Sequence, residues 1–274
     1  MVSTGLHMTE LSVKLKEKYP DIDISVFTAN SSRDEHNKYS KKKESYKNIN
    51  VNRVSNFGKH HGNLIQRLLF SIGFSFKAVF FILKNRNKFD LLLLTTNPPF
   101  LGIIAFLINK VLSLRYVIIA YDIYPEILVK MGILAKKSFI NLIWEKINIK
   151  VYNNSESIIS IGDDMTDIIV NKMMIKDLNK IKLIHNWSDK SKVFPVNQNE
   201  NDFVINNNLL GKKIVLYSGT FGKTHNIEEI LKASKELSQL DDVVFLFIGS
   251  GAKKHLIESH IQNSKFPNVM LLPF

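Results

Sequence analysis

The sequence predicts an α/β fold built on parallel sheets and organised as two domains. Three observations carry that prediction. Short apolar runs alternate with longer helical stretches along the chain, the pattern of strands joined by crossover helices. Several of those runs end in glycine, threonine or acidic residues, at the strand ends where ligands bind in open α/β sheets. Between Trp187 and Leu210 the composition turns to Asn, Asp, Lys, Gln and Glu around Pro195, which divides the chain into domains 1–192 and 193–274.

The chain opens with a loop around Gly5 and a helix over Thr9–Lys18 that Pro20 ends. Ile22–Thr28 alternates apolar and polar residues and reads as a strand. Lys38–Lys47 reads as a solvated loop, because lysine is cheap to leave in water, and Ile49–Val54 as a short strand. Asn63–Lys84 has the apolar content and freedom from proline of a long helix. Leu91–Thr96 reads as a buried strand closed by Asn97-Pro98-Pro99, followed by a helix at Leu101–Leu112 and a strand at Arg115–Tyr121. Helix Trp144–Tyr152, strand Ser157–Ile161, helix Met165–Lys172 and strand Lys182–His185 complete the first domain. These strands are expected in one parallel sheet covered on both faces.

In the second domain, strand Lys213–Ser218 enters the loop Gly219–His225 and helix Ile227–Leu237. Strand Val243–Ile248, a Gly249-Ser250-Gly251 turn, a helix from Lys253 and a strand at Val269–Leu272 follow. A doubly wound domain starts on a central strand and continues past its third. The first domain is therefore expected to lack its first strand, and the second to be incomplete.

Composition narrows the function classes. Hydrophobic residues make up 45% and charged residues 23% of 274, which excludes a disordered chain. Without cysteine there is no disulfide, thiolate nucleophile or cysteine metal site, and a reducing cytoplasm is compatible with that. The opening Met-Val-Ser-Thr-Gly does not read as a signal peptide. A net charge of +12 favours anionic partners. Nucleic acid is the least favoured of these, since zinc-finger spacing, an RNP-like strand and an arginine-rich helix are all missing. The histidines are dispersed except for His60-His61, and no metal-ligand spacing is present.

The strongest motif is Tyr217-Ser218-Gly219-Thr220-Phe221-Gly222-Lys223, a strand entering a glycine loop that opens a helix. Glycine lets the backbone approach a phosphate, helix-end amides favour its charge, and Lys223 adds a full positive charge. The plainer alternative is a tight turn with a surface lysine. The segment matches neither G-x-G-x-x-G nor the P-loop. Gly249 and Gly251 repeat the logic one strand later. Asp122 and Glu126, in Asp122-Ile123-Tyr124-Pro125-Glu126, are candidates for general-base or sugar-hydroxyl contacts; Glu126 also suits a cap on the helix after Pro125. Asn186 and Trp187 are placed to line a cleft at the domain hinge or to anchor the linker. The Leu64–Leu83 stretch, rich in Leu and Phe with Arg67 and Lys77, suits either a bilayer interface or a sheet-packed helix.

In their order these segments resemble the family 4 glycosyltransferases of GT-B architecture that serve bacterial capsule, exopolysaccharide and O-antigen assembly. The likeness is carried by Ser3-Thr4-Gly5 through Leu11, Thr95 to Pro99, Asp122 to Glu126, His185 to Trp187, Tyr217 to Gly222 and Phe247 to Gly251. The resemblance implies two Rossmann-like domains, the first taking the acceptor and the second a nucleotide-diphosphate sugar as co-substrate, with no other cofactor. It implies Gly5 near the donor phosphates and Gly219 to His225 beside the diphosphate. Thr220 and His225 fall where relatives use arginine and lysine. Asp122 stands near a position where many relatives have histidine. The family's paired glutamates have no counterpart in this sequence. The implied partners are a nucleotide sugar, a lipid-linked or other saccharide acceptor and an anionic inner-membrane surface, for a cytoplasmic protein peripheral to that membrane. Two rival readings are a sugar-nucleotide 2-epimerase of the same architecture and a non-catalytic fragment that needs a partner polypeptide.

Overall fold

The structure, a computed structural model, describes residues 3–29, 41–55, 64–175, 177–189, 191, 193–222, 225–263 and 267–273. The chain divides into two compact units, Met1–Trp187 and Ser188–Phe274.

The first unit holds two sheets where one was expected. Strands β1 (Ser25–Ala29), β2 (Lys43–Tyr46) and β3 (Ile49–Val54) form a mixed sheet in the order β1-β3-β2. β1 runs parallel and β2 antiparallel to β3. The end of the lysine run is thus a strand and not a loop. Lys47 and Asn48 both take positive φ (46° and 61°), the backbone of a tight two-residue hairpin turn, and Glu44 is paired with Arg53 at 2.6 Å. The second sheet is fully parallel, in the order β4 (Leu91–Thr95), β5 (Arg115–Ala120), β6 (Ser157–Ser160), β7 (Ile181–Leu183).

Helix α1 (Ser3–Lys18) begins earlier than expected and takes Gly5 out of a loop. The Thr9 hydroxyl donates to the Gly5 carbonyl (2.7 Å), a local bond that a helical turn permits. The long helix α2 (Leu64–Lys84) joins the two sheets. Phe27 of β1 packs on its Phe74 and Phe81, and Phe81 on Phe89 just before β4. The apolar run Leu91–Leu94 has the signature of a strand buried on both faces, yet Leu91 and Leu93 are exposed because β4 lies at an edge among the described residues. Helices α3 (Leu101–Leu112), α4 (Glu126–Lys130), α5 (Phe139–Asn154) and α6 (Asp163–Lys172) complete the unit. Its core gathers Tyr116, Ile118, Ala120, Tyr152, Ile158 and Ile169, and the buried Tyr116 hydroxyl donates to the Val151 carbonyl at 2.5 Å.

The second unit is a parallel sheet in the order β10 (Val269–Leu272), β9 (Val243–Ser250), β8 (Lys213–Thr220), with helices α7 (Asp202–Asn206), α8 (Ile227–Glu236) and α9 (Lys254–Asn263). β9 is buried on both faces. Phe245 and Phe247 meet Phe221, Ile227 and Ile257 on one side, and Leu246 meets Val204 and Leu209 on the other. The short α7 escapes sequence periodicity; Asn201 caps it by accepting from Phe203 N (3.1 Å).

Candidate functional site

Two clusters of chemistry stand at strand ends, one in each unit. In the first, Thr96 follows β4 and joins it to the end of β5. Its hydroxyl accepts from the Tyr121 and Asp122 amides at 3.0 and 2.9 Å, and its own amide donates to the Ile119 carbonyl at 3.2 Å. Asp122 is thereby held at the mouth of a recess lined by Thr96, Pro99, Gly102, Tyr124, Asn148 and Tyr152. Burial pushes the Asp122 carboxyl above its ordinary range, and the Arg67 guanidinium from α2 opposes part of that push. Burial likewise raises the Tyr124 phenol, helped by the charge of Asp122.

Tyr124, which lines the recess, is backed by an aromatic stack. Trp144 of α5 stacks between Phe100 (5.5 Å) and Tyr124 (6.0 Å), and the Asn148 amide donates to the Tyr124 carbonyl at 2.6 Å. Both turns that frame it contain cis peptides, Asn97-Pro98 and Tyr124-Pro125. Arg67, Trp144 and Asn148 were missed in the sequence. The signal that could have flagged Asn148 is its spacing from Asn141: two polar residues seven apart on one helix, both buried.

Glu126 does not line this recess. Its side chain is 8% exposed, and Oε1 receives Lys172 Nζ of α6 at 3.0 Å. Pro125, and not Glu126, occupies the N-cap of α4. The pair ties α4 to α6.

Trp187 is held against α1. Its indole N–H donates to Glu10 Oε2 (3.0 Å), and its ring meets His7 edge-on at 5.1 Å. Asn186 beside it is exposed, and Gly5 lies in the exposed early part of α1.

In the second unit the structure brings Gly219, Gly249 and Gly251 together. Gly219 and Gly249 are partners in the β8–β9 register, so both belong to strands and not to the turns expected for them. All three have φ near +150°, a region that side chains rarely adopt. A Cβ on Gly249 would lie 2.0 Å from the Gly219 carbonyl oxygen, and one on Gly251 would lie 2.6 Å from the Phe221 oxygen. Glycine is therefore required there by the packing of β9 against β8. Gly219 itself has open space where a Cβ would stand, so its backbone is accessible.

Beyond Thr220 the chain turns through Phe221 and Gly222 to His225 and the start of α8. Phe221 is fully buried, its amide donating to the Ser250 carbonyl (2.9 Å). The Tyr217 hydroxyl bonds the His225 ring at Nδ1 and donates to the Thr220 carbonyl at 3.0 Å. Lys253 donates to the His225 carbonyl and to Glu228, both at 2.7 Å. Asn226 caps α8 by accepting from Glu229 N (3.4 Å). Glu228 and Lys253 were not singled out in the sequence; with Tyr217 of the quoted motif they tie Thr220, His225 and the start of α8 together. Lys223 lies outside the described residues. Among the described residues no group of three His, Asp or Glu is gathered as a metal site.

No protein-family profile matches the chain. It is 28% identical over 222 residues to the probable glycosyltransferase WbjE of Pseudomonas aeruginosa, a match covering 79% of this chain and 52% of that protein. The chain thus spans about half the length of the curated relative it matches. Among solved structures, Anabaena Alr3699/HepE in complex with UDP superposes with a TM-score of 0.55 at 14% identity, over 83% of this chain and 57% of that one. The apo lipopolysaccharide outer core galactosyltransferase WaaB gives 0.56 at 11%, over 98% of this chain and 64% of that one. The fold is that of the GT-B glycosyltransferases: α/β, with Rossmann-like parallel sheets.

Proposed function

We propose that the chain belongs to a glycosyltransferase that moves a sugar from a nucleotide-diphosphate sugar to a saccharide acceptor in bacterial cell-surface polysaccharide synthesis. The single observation that carries this reading is the glycine register of β8 and β9, with the Gly219 backbone open at the end of β8, the strand that precedes α8 in the chain. A departing diphosphate needs donors already in place where its charge develops. Amides of a glycine turn and of a helix N-terminus supply them without reorganisation. In this reading Gly219, Thr220, Gly222 and His225 line the diphosphate site, with Lys223 as an added cation. The UDP held by HepE and the name of the Pseudomonas relative support the same substrate class.

Asp122 is the group in the first unit suited to exchange a proton with an acceptor hydroxyl, because its raised carboxyl range brings it closer to working pH. The acceptor we assign is a lipid-linked saccharide. We propose further that transfer retains the anomeric configuration, as the resemblance to the family 4 glycosyltransferases implies.

Isothermal titration with UDP, UDP-glucose and GDP-mannose tests the donor site. Binding of at least one nucleoside diphosphate, weakened about tenfold by His225→Ala, is the expected result. Failure of all three to bind at millimolar concentration overturns the reading.

A further inference from the structure

We infer that Tyr217 is a positioning residue that fixes the tautomer of His225, so that a nucleotide diphosphate binds with uptake of one proton at His225 Nε2. The inference rests on the diphosphate site proposed above and adds its regulation by pH. The Tyr217 hydroxyl meets two groups, the Thr220 carbonyl at 3.0 Å and His225 Nδ1. It has one proton to give. A carbonyl oxygen can only accept, so that proton goes to Thr220. Toward the ring the hydroxyl oxygen is then the acceptor, and Nδ1 carries the N–H. In the neutral ring this leaves the lone pair on Nε2, because the bond made by one nitrogen decides the state of the other.

Nε2 lies on the open side of the ring. Among the described residues it has no hydrogen-bond partner, and His225 is exposed. A Cβ on Gly222 would stand 3.6 Å from Nε2 and from Cε1, and 3.7 Å from Cδ2. That edge of the imidazole therefore faces the glycine turn after β8, and glycine leaves the approach clear. A bare lone pair repels a diphosphate oxygen, whereas a protonated Nε2 donates to it with a full charge. Binding thus draws a proton from solvent onto Nε2, while Nδ1 keeps its bond to Tyr217.

The other charges around the ring do not take over this task. The Lys253 ammonium is spent on the His225 carbonyl and on Glu228, both at 2.7 Å, and Lys254 pairs with Glu258 at 3.0 Å. Burial pushes the Tyr217 phenol up, and the hydrogen bond from Lys253 holds the Glu228 carboxyl down. Both therefore keep one charge state between about pH 5 and 8, the interval in which imidazole is the side chain that titrates.

The test is isothermal titration of the 274-residue chain with UDP-glucose and GDP-mannose from about pH 6 to about pH 8.5. Nucleotide sugars are used because the terminal phosphate of free UDP itself titrates near about pH 6. Binding should weaken about tenfold as pH rises across the range, the direction set by a proton taken up on binding. Tyr217→Phe removes the acceptor on Nδ1, so its fall in affinity should begin about one pH unit lower, with binding about threefold weaker near neutrality. His225→Lys carries its charge throughout and should give a flat profile. If circular dichroism shows that Tyr217→Phe does not fold, the flat His225→Lys profile against the sloping parent carries the test. A parent affinity independent of pH overturns the inference and leaves the glycosyl-transfer reading standing. A sloping His225→Lys profile overturns it too, by placing the titrating group elsewhere. So does a folded Tyr217→Phe whose profile keeps the shape of the parent, which would make Tyr217 a structural support only. Failure of both nucleotide sugars to bind at every pH overturns the inference and the reading together.

Discussion

Gly249 stands opposite Gly219 in the β8–β9 register, close enough that a Cβ on Gly249 would reach 2.0 Å from the Gly219 carbonyl oxygen. The two positions share an unusual φ but differ in space, and this separates the effects of substituting them. Gly219→Ala meets nothing within 4 Å and bears only the backbone penalty, about 1–3 kcal/mol. Gly249→Ala adds a clash with main chain that cannot rotate away, so its loss of stability should exceed that of Gly219→Ala by about 2 kcal/mol or more. Urea denaturation of the two variants checks the order; equal losses would show that β8 and β9 separate easily.

Thr96 is the next point of leverage, because one hydroxyl accepts from two amides, those of Tyr121 and Asp122. Thr96→Val keeps the shape and leaves both donors without that acceptor, at a cost of about 1–3 kcal/mol. Thr96→Ser retains the oxygen and should cost less. If transfer activity depends on where Asp122 is held, Val should lower kcat while Ser leaves it near the parent value. Steady-state kinetics with denaturation of both variants reads the two effects separately.

How much of this was legible in the sequence differs between fold and site. Strand Ile49–Val54, helix Leu101–Leu112 and strand Val269–Leu272 fall where the sequence placed them, because each is a distinct apolar-rich run with a turn residue or proline close by. Strand β2 was hidden, since Lys43 to Tyr46 has no apolar alternation and pairs through backbone and the Glu44–Arg53 bridge. The split of the first unit into two sheets was also invisible, for pairing depends on long-range register. In the site, glycines at strand ends were readable as a pattern, but their reason was not. Only the structure shows that Gly251 is dictated by the Phe221 backbone. Arg67 lies far from Asp122 in sequence, and nothing local announces that its charge acts on Asp122.

Asp122 gives a pH prediction with a definite sign. Burial raises its carboxyl range in the fold, so between the unfolded and folded pKa values the native state binds more protons than the unfolded state. Stability from this group therefore falls as pH rises through that window, and above it the ionised carboxylate is a net cost. Asp122→Asn removes the cost. The variant should melt higher than the parent at neutral pH, and the difference should shrink as pH is lowered below the ordinary aspartate range. Calorimetry across pH checks this. A variant that melts lower at neutral pH would mean that Asp122 is held by favourable contacts instead of being strained by burial.

The Glu126–Lys172 pair provides a contrasting case, a carboxylate at 8% exposure whose cation remains half in water. Removing only the cation, as in Lys172→Met, leaves a buried charge without its partner. Full burial of both members would make that loss about 3–5 kcal/mol, and the solvent around Lys172 lowers the expectation to roughly 1–3 kcal/mol. Removing both charges, as in Glu126→Gln with Lys172→Met, should recover most of it, because the uncompensated carboxylate is what destabilises. A double-mutant cycle by urea denaturation measures the coupling. Losses that simply add would mean that α4 and α6 are joined by packing, with the ion pair incidental. The same cycle bears on Glu126 as a candidate for proton transfer. A group whose main coupling is to Lys172 should respond in stability more than in kcat, whereas a catalytic one would lose activity in Glu126→Gln while the melting temperature barely moved.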